Sequence, residues 1–199
     1  MLSPQPEIIL ASSSATRKIL MDRLGLHYRC IAPEIDETPR GEQHADELAR
    51  RLSIEKGRVV SAAHPEAIVI ASDQVAYCAE SPDQFIGKPL TSAAAIAQLR
   101  AQATQTVHFS TGLSVQHQAS GFAQHCVEHY QVKFRDLSLL EIERYVEREQ
   151  PLHCAGSFKC EGLGISLFEH MRGDDQTSLM GLPLIQLCRL LRQLGLQLP

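Results

Sequence analysis

Residues 7–17 have the sequence EIILASSSATR, in which a short apolar run is followed by three serines and then by a helical pattern. The β-branched residues at its start predict a buried strand. Residues 15–24 then place Ile19 and Leu20 on one face of a helix. Any of the three serines can cap that helix, so the segment predicts a strand, a serine-rich turn and a helix.

Farther along the chain, the sequence predicts longer strands and helices. Residues 67–72, AIVIAS, predict a strand buried on both faces, with Asp73 at its carboxyl end. An amphipathic helix is predicted for residues 45–63. Two alternating segments, 106–116 and 123–134, predict a long antiparallel hairpin. The sequence therefore indicates an α/β fold in which helices flank a mixed β-sheet.

Shorter elements complete the prediction. Ser138 and Glu141 form a capping-box pattern at the start of a helix, and Thr91 is a second candidate cap. The remaining predicted elements are strands at 28–31 and 165–168, a hairpin of 75–78 and 85–86 around a turn at 81–83, and helices at 92–101, 138–149 and 183–194.

Length and composition limit the classes of function. A chain of 199 residues predicts one domain, 1–199, and its 44% hydrophobic and 21% charged residues exclude a disordered chain. The net charge of −4 and pI near 6.1 exclude a nucleic-acid binder that depends on global positive charge. We therefore expect no stable nucleic-acid binding.

The cysteines and the apolar runs bear on location. The six cysteines have no Cys-x-x-Cys or Cys/His spacing of the zinc type, which argues against a structural zinc site. No signal-peptide pattern is seen, and the apolar runs are far shorter than the roughly 20 residues that span a bilayer. A cytoplasmic protein with reduced thiols and no membrane contact is expected.

Charged side chains cluster near the ends of predicted elements, where ligands of α/β sheets bind. The serine turn and Arg17 suit a phosphate, because a helix start offers free N–H groups. Asp73 can bind a divalent cation or activate water. Lys159 and Glu161 alternate, so in an extended chain both point the same way. Taken singly, these segments also fit a capped helix, a turn-capping Asp and a surface ion pair.

Six segments in this order resemble the Maf family of nucleotide pyrophosphatases along residues 7–195. They are ILASSSATR at 9–17, EIDETP at 34–39, SDQV at 72–75, GKP at 87–89, HCAGSFKCEG at 153–162 and MGLP at 180–183. The resemblance implies an elongated, two-lobed chain with a central cleft, as in the inosine triphosphate pyrophosphatases. It also implies a metal-dependent hydrolase that cleaves a nucleoside triphosphate into a monophosphate and pyrophosphate.

The resemblance further implies roles for individual residues. Asp73 matches the proton acceptor that activates water, and Glu34 with Asp73 matches the ligands of a divalent cation, Mg²⁺ or Mn²⁺. Positions that contact phosphate in the family match Ser12, Ser14, Arg17, Lys56, Lys88 and Lys159. Positions that select the base match Thr16, Gln74 and Glu161.

The pairs Asp73-Gln74 and Lys159-Cys-Glu161 are similar to the branch of the family that acts on 7-methyl-GTP. The branch that acts on dTTP and UTP typically has Thr after the Asp and Gln at the position of Glu161. One departure is Thr16, where the 7-methyl-GTP branch often has Trp. The alternatives are a dTTP/UTP pyrophosphatase, an enzyme for deaminated purines, or a nucleotide-binding regulator of cell division. The resemblance allows a homodimer.

Elementary electrostatics agrees with these implied roles. At 4 Å, one cation and one anion attract by about 1 kcal/mol in water and about 4 kcal/mol at an effective dielectric of 20. Several cations in one cleft can therefore hold a triphosphate despite the net charge of −4. Methylation at N7 makes guanine cationic, so the Glu161 carboxylate favours that base and can accept from its N1 and N2 groups.

Overall fold

The computed structural model describes residues 6–198. The strands are β1 (Ile8–Leu10), β2 (Arg29–Cys30), β3 (Ile68–Cys78), β4 (Ser81–Ile86), β5 (Thr106–His117), β6 (Phe122–Phe134) and β7 (Phe168–Arg172). The helices are α1 (Ala15–Asp22), α2 (Ala45–Ala63), α3 (Ser92–Gln102), α4 (Leu139–Glu149), α5 (Gln176–Leu179) and α6 (Leu184–Gln193). No helix of the described chain is long and apolar enough to cross a membrane.

The strands form one mixed sheet in the order β2-β1-β3-β5-β6-β7, and β4 pairs with β3 beyond this path. The pairs that β1 makes with β2 and β3 are parallel, and the other pairs are antiparallel. Successive strand residues point to opposite faces. Ile8 and Leu10 therefore pack with α1 and α6, whereas Ile9 packs with Val60 of α2. The predicted α/β class, with helices flanking a mixed sheet, is confirmed.

The long strands β3 and β5 pass through two core regions. Ile70 and Leu113 belong to a cluster with α1 and α6. Ala76 and Phe109 belong to a second cluster with α3 and α4. Asp73, in register with Gly112 of β5, points to the opposite face of the sheet, where its neighbours Ala71 and Val75 belong to clusters with α2.

The prediction that the strand ends at Ser72 is wrong. β1 pairs with β3 only as far as Ile70, where the apolar run weakens, but β5 pairs with β3 as far as Cys78. The continued ladder keeps the backbone extended through the polar residues. Asp73 therefore lies inside the strand, just beyond the end of its parallel neighbour.

Other elements follow the predictions with local differences. α2 has the predicted bounds, and Ser138 and Glu141 form the predicted capping box. The hairpin turn lies at residues 79–80 rather than 81–83, because β4 begins at Ser81. The strand predicted at 165–168 is instead a 3₁₀ segment, Leu163–Leu167, followed by β7. Gly164 packs against the backbone of Lys159, where an added Cβ would lie 2.3 Å from the carbonyl oxygen.

Candidate active site

A cleft of about 970 Å³ opens beside the middle of β3. It is lined by the β1–α1 turn, one residue of α2, the loop before α3, and parts of segments 150–161 and 179–181. The cleft brings together the sequence-predicted site residues Ser12, Ser14, Thr16, Arg17, Lys56, Asp73, Gln74, Lys88, Lys159 and Glu161. Segments far apart in the chain therefore meet at one place.

Glu34 is exposed and does not line this cleft. Glu37, from the same loop, does line it, and its Oε1 lies 2.8 Å from Nζ of Lys56. The metal-binding role of Glu34 stays a prediction. The family resemblance marked segment 34–39 through Glu34 but did not single out Glu37.

Lys56 and Asp73 form a buried ion pair at the floor of the cleft. Lys56 is 6% exposed and Asp73 is 8% exposed, and Nζ donates to Oδ1 over 2.6 Å. Lys56 follows Leu52 by one helical turn, on the face of α2 that packs toward the sheet. Buried charges need such partners because desolvation of a lone charge is costly.

Gly112 explains how α2 comes so close to the sheet. A Cβ at this position would lie 2.3 Å from the carbonyl oxygen of Ala49 in α2. Since Gly112 is the β5 partner of Asp73, this close approach lies beside the carboxylate. A side chain here would push α2, and Lys56 with it, away from Asp73.

Arg17 is held at the start of α1. Ser14 caps the helix by accepting from the Arg17 amide, and the Arg17 guanidinium donates from Nε to the Gly181 carbonyl over 2.7 Å. The Ser12 hydroxyl lies 3.5 Å from Nη1. Burial lowers the pKa of Arg17, while Asp73 and Glu37 raise it. A guanidinium remains charged under these conditions, so the helix start presents a fixed positive group.

Gly181 supplies the carbonyl that joins two parts of the site. Its oxygen accepts from Arg17 and also from the Ser72 hydroxyl, over 2.8 Å. Its φ of +98° lies in the left-handed region, which favours glycine. The backbone turn that orients this oxygen therefore depends on a glycine at position 181.

Gln74 is held by β5 and by the turn after α5. Its Nε2 donates to the Ser178 carbonyl over 2.8 Å, the Leu179 carbonyl over 3.0 Å and the Thr111 hydroxyl over 3.0 Å. Sequence reasoning did not identify Thr111, because a lone buried Thr in an alternating strand has no distinguishing pattern.

Lys88, Lys159 and Glu161 line the cleft from loops. Lys88 and Glu161 are exposed, and Lys159 donates from Nζ to the Glu149 carbonyl over 2.5 Å. Cys154 lies in the same part of the cleft, where burial and the nearby Glu161 raise the pKa of its thiol. A raised pKa disfavours the thiolate, so Cys154 is a poor nucleophile.

The arrangement gathers cationic groups, a helix start and a buried carboxylate, as polyphosphate chemistry requires. The model of the family of Maf-like proteins matches residues 7–194. The chain belongs to the Maf family. This confirms the resemblance drawn from the six segments.

Curated relatives of this Maf protein cover nearly its whole length. A nucleoside triphosphate pyrophosphatase from Acinetobacter baylyi is 68% identical, over 97% of this chain and 98% of the relative. A 7-methyl-GTP pyrophosphatase from Nitrosococcus oceani is 50% identical, over 96% of this chain and 94% of the relative. Another 7-methyl-GTP pyrophosphatase, from Xanthomonas axonopodis pv. citri, is 47% identical, over 98% of this chain and 100% of the relative.

Among solved structures, the Maf protein is similar to a HAM1 protein from Coxiella burnetii. The TM-score is 0.46 and the sequence identity 19%, over 65% of this chain and 73% of the other.

Proposed function

We propose that this Maf protein is a nucleoside triphosphate pyrophosphatase that prefers 7-methyl-GTP and releases 7-methyl-GMP and pyrophosphate. The supporting observation is the buried Lys56–Asp73 pair at the floor of a cleft that Arg17 also lines. The names of the three relatives support the same activity, and two of them support the base.

Asp73 is suited to accept a proton from water. Lys56 occupies Oδ1, whereas no protein group of residues 6–198 donates to Oδ2. Oδ2 is not among the buried polar atoms that lack a partner, so it is open to the cleft. A fixed carboxylate with one oxygen free can orient an attacking water and take its proton.

The cations of the cleft bind the polyphosphate chain. Arg17 offers a forked donor, and Ser12 and Ser14 lie at the start of α1, where backbone N–H groups favour anions. Lys56, Lys88 and Lys159 add positive charge. Charge neutralisation and positioning are the main contributions to phosphoryl transfer, so these groups can supply much of the rate enhancement.

The carboxylates of the cleft also suit a divalent cation. Asp73 and Glu37 both contact Nζ of Lys56, so their oxygens are close together. Mg²⁺ is commonly held by one or two carboxylates and by substrate phosphates. Consistent with such a shared site, residues 6–198 contain no group of three or more His, Cys, Asp or Glu placed to hold a metal alone. Asp73 and Glu37 would hold the cation, with Glu34 as a further predicted ligand, and it would neutralise phosphate charge.

Base preference is assigned to Glu161, Gln74 and Thr16, all of which line the cleft. The Glu161 carboxylate attracts the cationic 7-methylguanine ring and accepts from its N1 and N2 groups. A site built for these donors disfavours bases that lack them, because its polar groups would then be left without partners.

The test is a panel of nucleoside triphosphates assayed with Mg²⁺ or Mn²⁺ for pyrophosphate and for monophosphate. We expect equal amounts of the two products and the highest kcat/KM for 7-methyl-GTP. E161Q should lower the preference for 7-methyl-GTP over UTP by about tenfold or more, while E169Q, an exposed substitution outside the cleft, should not. Stepwise release of orthophosphate, or a preference for UTP in the wild type, would contradict the proposal.

A further inference from the structure

The side-chain amide of Gln74 can take only one orientation. Its Nε2 faces three oxygens, and two of them are the backbone carbonyls of Ser178 and Leu179. A carbonyl oxygen can only accept a hydrogen bond, so the NH₂ group must be on this side. The oxygen Oε1 is thereby turned away from the turn after α5.

Thr111 completes this constraint. Its hydroxyl donates to the Ser178 carbonyl over 2.9 Å, so its single proton is already used. Toward Gln74, which is its partner in the ladder between β3 and β5, Thr111 can therefore only accept. A flipped amide would place Oε1 against two backbone carbonyls, which cannot donate to it, and Thr111 could donate to it only by giving up its bond to Ser178.

Oε1 of Gln74 is open to the cleft. Within the described residues no protein group donates to it, and it is not among the buried atoms without a partner. Gln74 is a half-buried residue of the cleft lining. The group that it offers to a ligand is therefore an acceptor, while its donors are held by the protein.

We infer that Gln74 selects the base solely as a hydrogen-bond acceptor, and that Thr111 is a positioning residue that acts with the Ser178 and Leu179 carbonyls to keep the amide from rotating. This inference rests on the proposed function and specifies the chemistry of its substrate. The base edge at Gln74 must present an N–H group.

The consequence for selectivity follows from the edges of the bases. A freely rotating amide could donate to a carbonyl of uracil while accepting from its N3–H, making two bonds. The held amide can make only the bond from uracil N3–H. Its oxygen would also lie near the two uracil carbonyls, which are acceptors and therefore repel it. Guanine presents two neighbouring donors, N1–H and the 2-amino group, which match the Gln74 oxygen and the Glu161 carboxylate.

The experiment compares T111V with T111S. Val removes the hydroxyl at similar size, and Ser keeps it. We expect T111V to lower the ratio of kcat/KM for 7-methyl-GTP over UTP by about three- to tenfold, the effect of about one hydrogen bond. T111S should stay within about twofold of the wild type, as expected when the hydrogen bond is retained. Thermal unfolding, measured in parallel, separates this effect from a loss of stability.

A second readout uses the wild type and does not depend on T111V folding. The side-chain NH₂ signals of Gln74, assigned by their loss in Q74M, should exchange slowly with water both before and after 7-methyl-GMP binds, because the protein holds these donors. Fast exchange in the free protein that becomes slow only when 7-methyl-GMP binds would overturn the inference. So would a folded T111V with an unchanged ratio. If the wild type released pyrophosphate from no triphosphate, the proposed function itself would fail, which is a different result.

Discussion

The cleft has two sets of charged groups, which differ in how the fold holds them. The anchored group, Arg17, Lys56 and Asp73, lies on helices and a strand, and each member contacts other residues of the protein. The loop group, Lys88, Lys159 and Glu161, lies outside regular elements; Lys88 and Glu161 are exposed, and Lys159 is half-buried with its ammonium on the Glu149 carbonyl. Within the described chain no ion-pair or hydrogen-bond partner is found for the Lys88 ammonium.

The difference in how the two groups are held suits them to different tasks in catalysis. A group held before the substrate arrives loses little further freedom on binding, which suits the step that needs exact geometry. An exposed side chain is well solvated and contributes less for each contact, but it can move toward its ligand. We therefore assign water activation to the anchored group and substrate capture to the loop group, whose Glu161 shares base selection with Gln74.

Among substitutions that distinguish the two groups, G181A is expected to have the largest effect on kcat, because it disturbs the anchored group without removing a charge. At φ +98° an alanine is strained, and its Cβ would lie 3.4 Å from Nε of Arg17. We expect a loss of about 1–2 kcal/mol in the free energy of unfolding and a fall in kcat of at least tenfold. Denaturant unfolding and steady-state kinetics measure the two quantities.

G121A is the matched control for this prediction. Gly121 also has a positive φ, of +71°, but nothing lies near the position of its Cβ and it is outside the cleft. It should lose similar stability and keep full kcat. An equal loss of kcat in both variants would mean that strain alone, and not the position of Arg17, causes the effect.

A smaller effect is expected from K88A, which removes a charge of the loop group. One exposed cation beside a phosphate contributes about 1 kcal/mol, so kcat/KM should fall about fivefold, mainly through KM. The effect should shrink as salt rises, because exposed charges are screened. The midpoint of thermal unfolding should not change. R100A, an exposed substitution outside the cleft, should leave kcat/KM unchanged.

Local sequence patterns predicted much of the fold. The strand, serine turn and helix at the start, the bounds of α2, and the capping box of α4 all depend on neighbouring residues. These elements combine local hydrogen bonds with a regular spacing of apolar residues, and both are visible in the sequence. The family motifs likewise indicated which residues meet in the cleft.

The one wrong strand end and the contacts that the sequence did not reveal lie where distant segments decide the structure. The strand through Asp73 continues because β5 pairs with it, although its own residues become polar. Glu37 reaches Lys56 because of how its loop folds back on α2. The role of Thr111 depends on the carbonyl of Ser178, 67 residues away in the chain. A sequence does not display such contacts directly.

The most direct test of the account is hydrolysis of 7-methyl-GTP in ¹⁸O-labelled water by the wild type and by D73N. We predict one labelled oxygen per turnover in 7-methyl-GMP or pyrophosphate for the wild type, with a loss of about a hundredfold or more in rate for D73N. D83N, an exposed substitution outside the cleft, should match the wild type. Labelled orthophosphate with 7-methyl-GDP, or a D73N variant as fast as the wild type, would contradict the account.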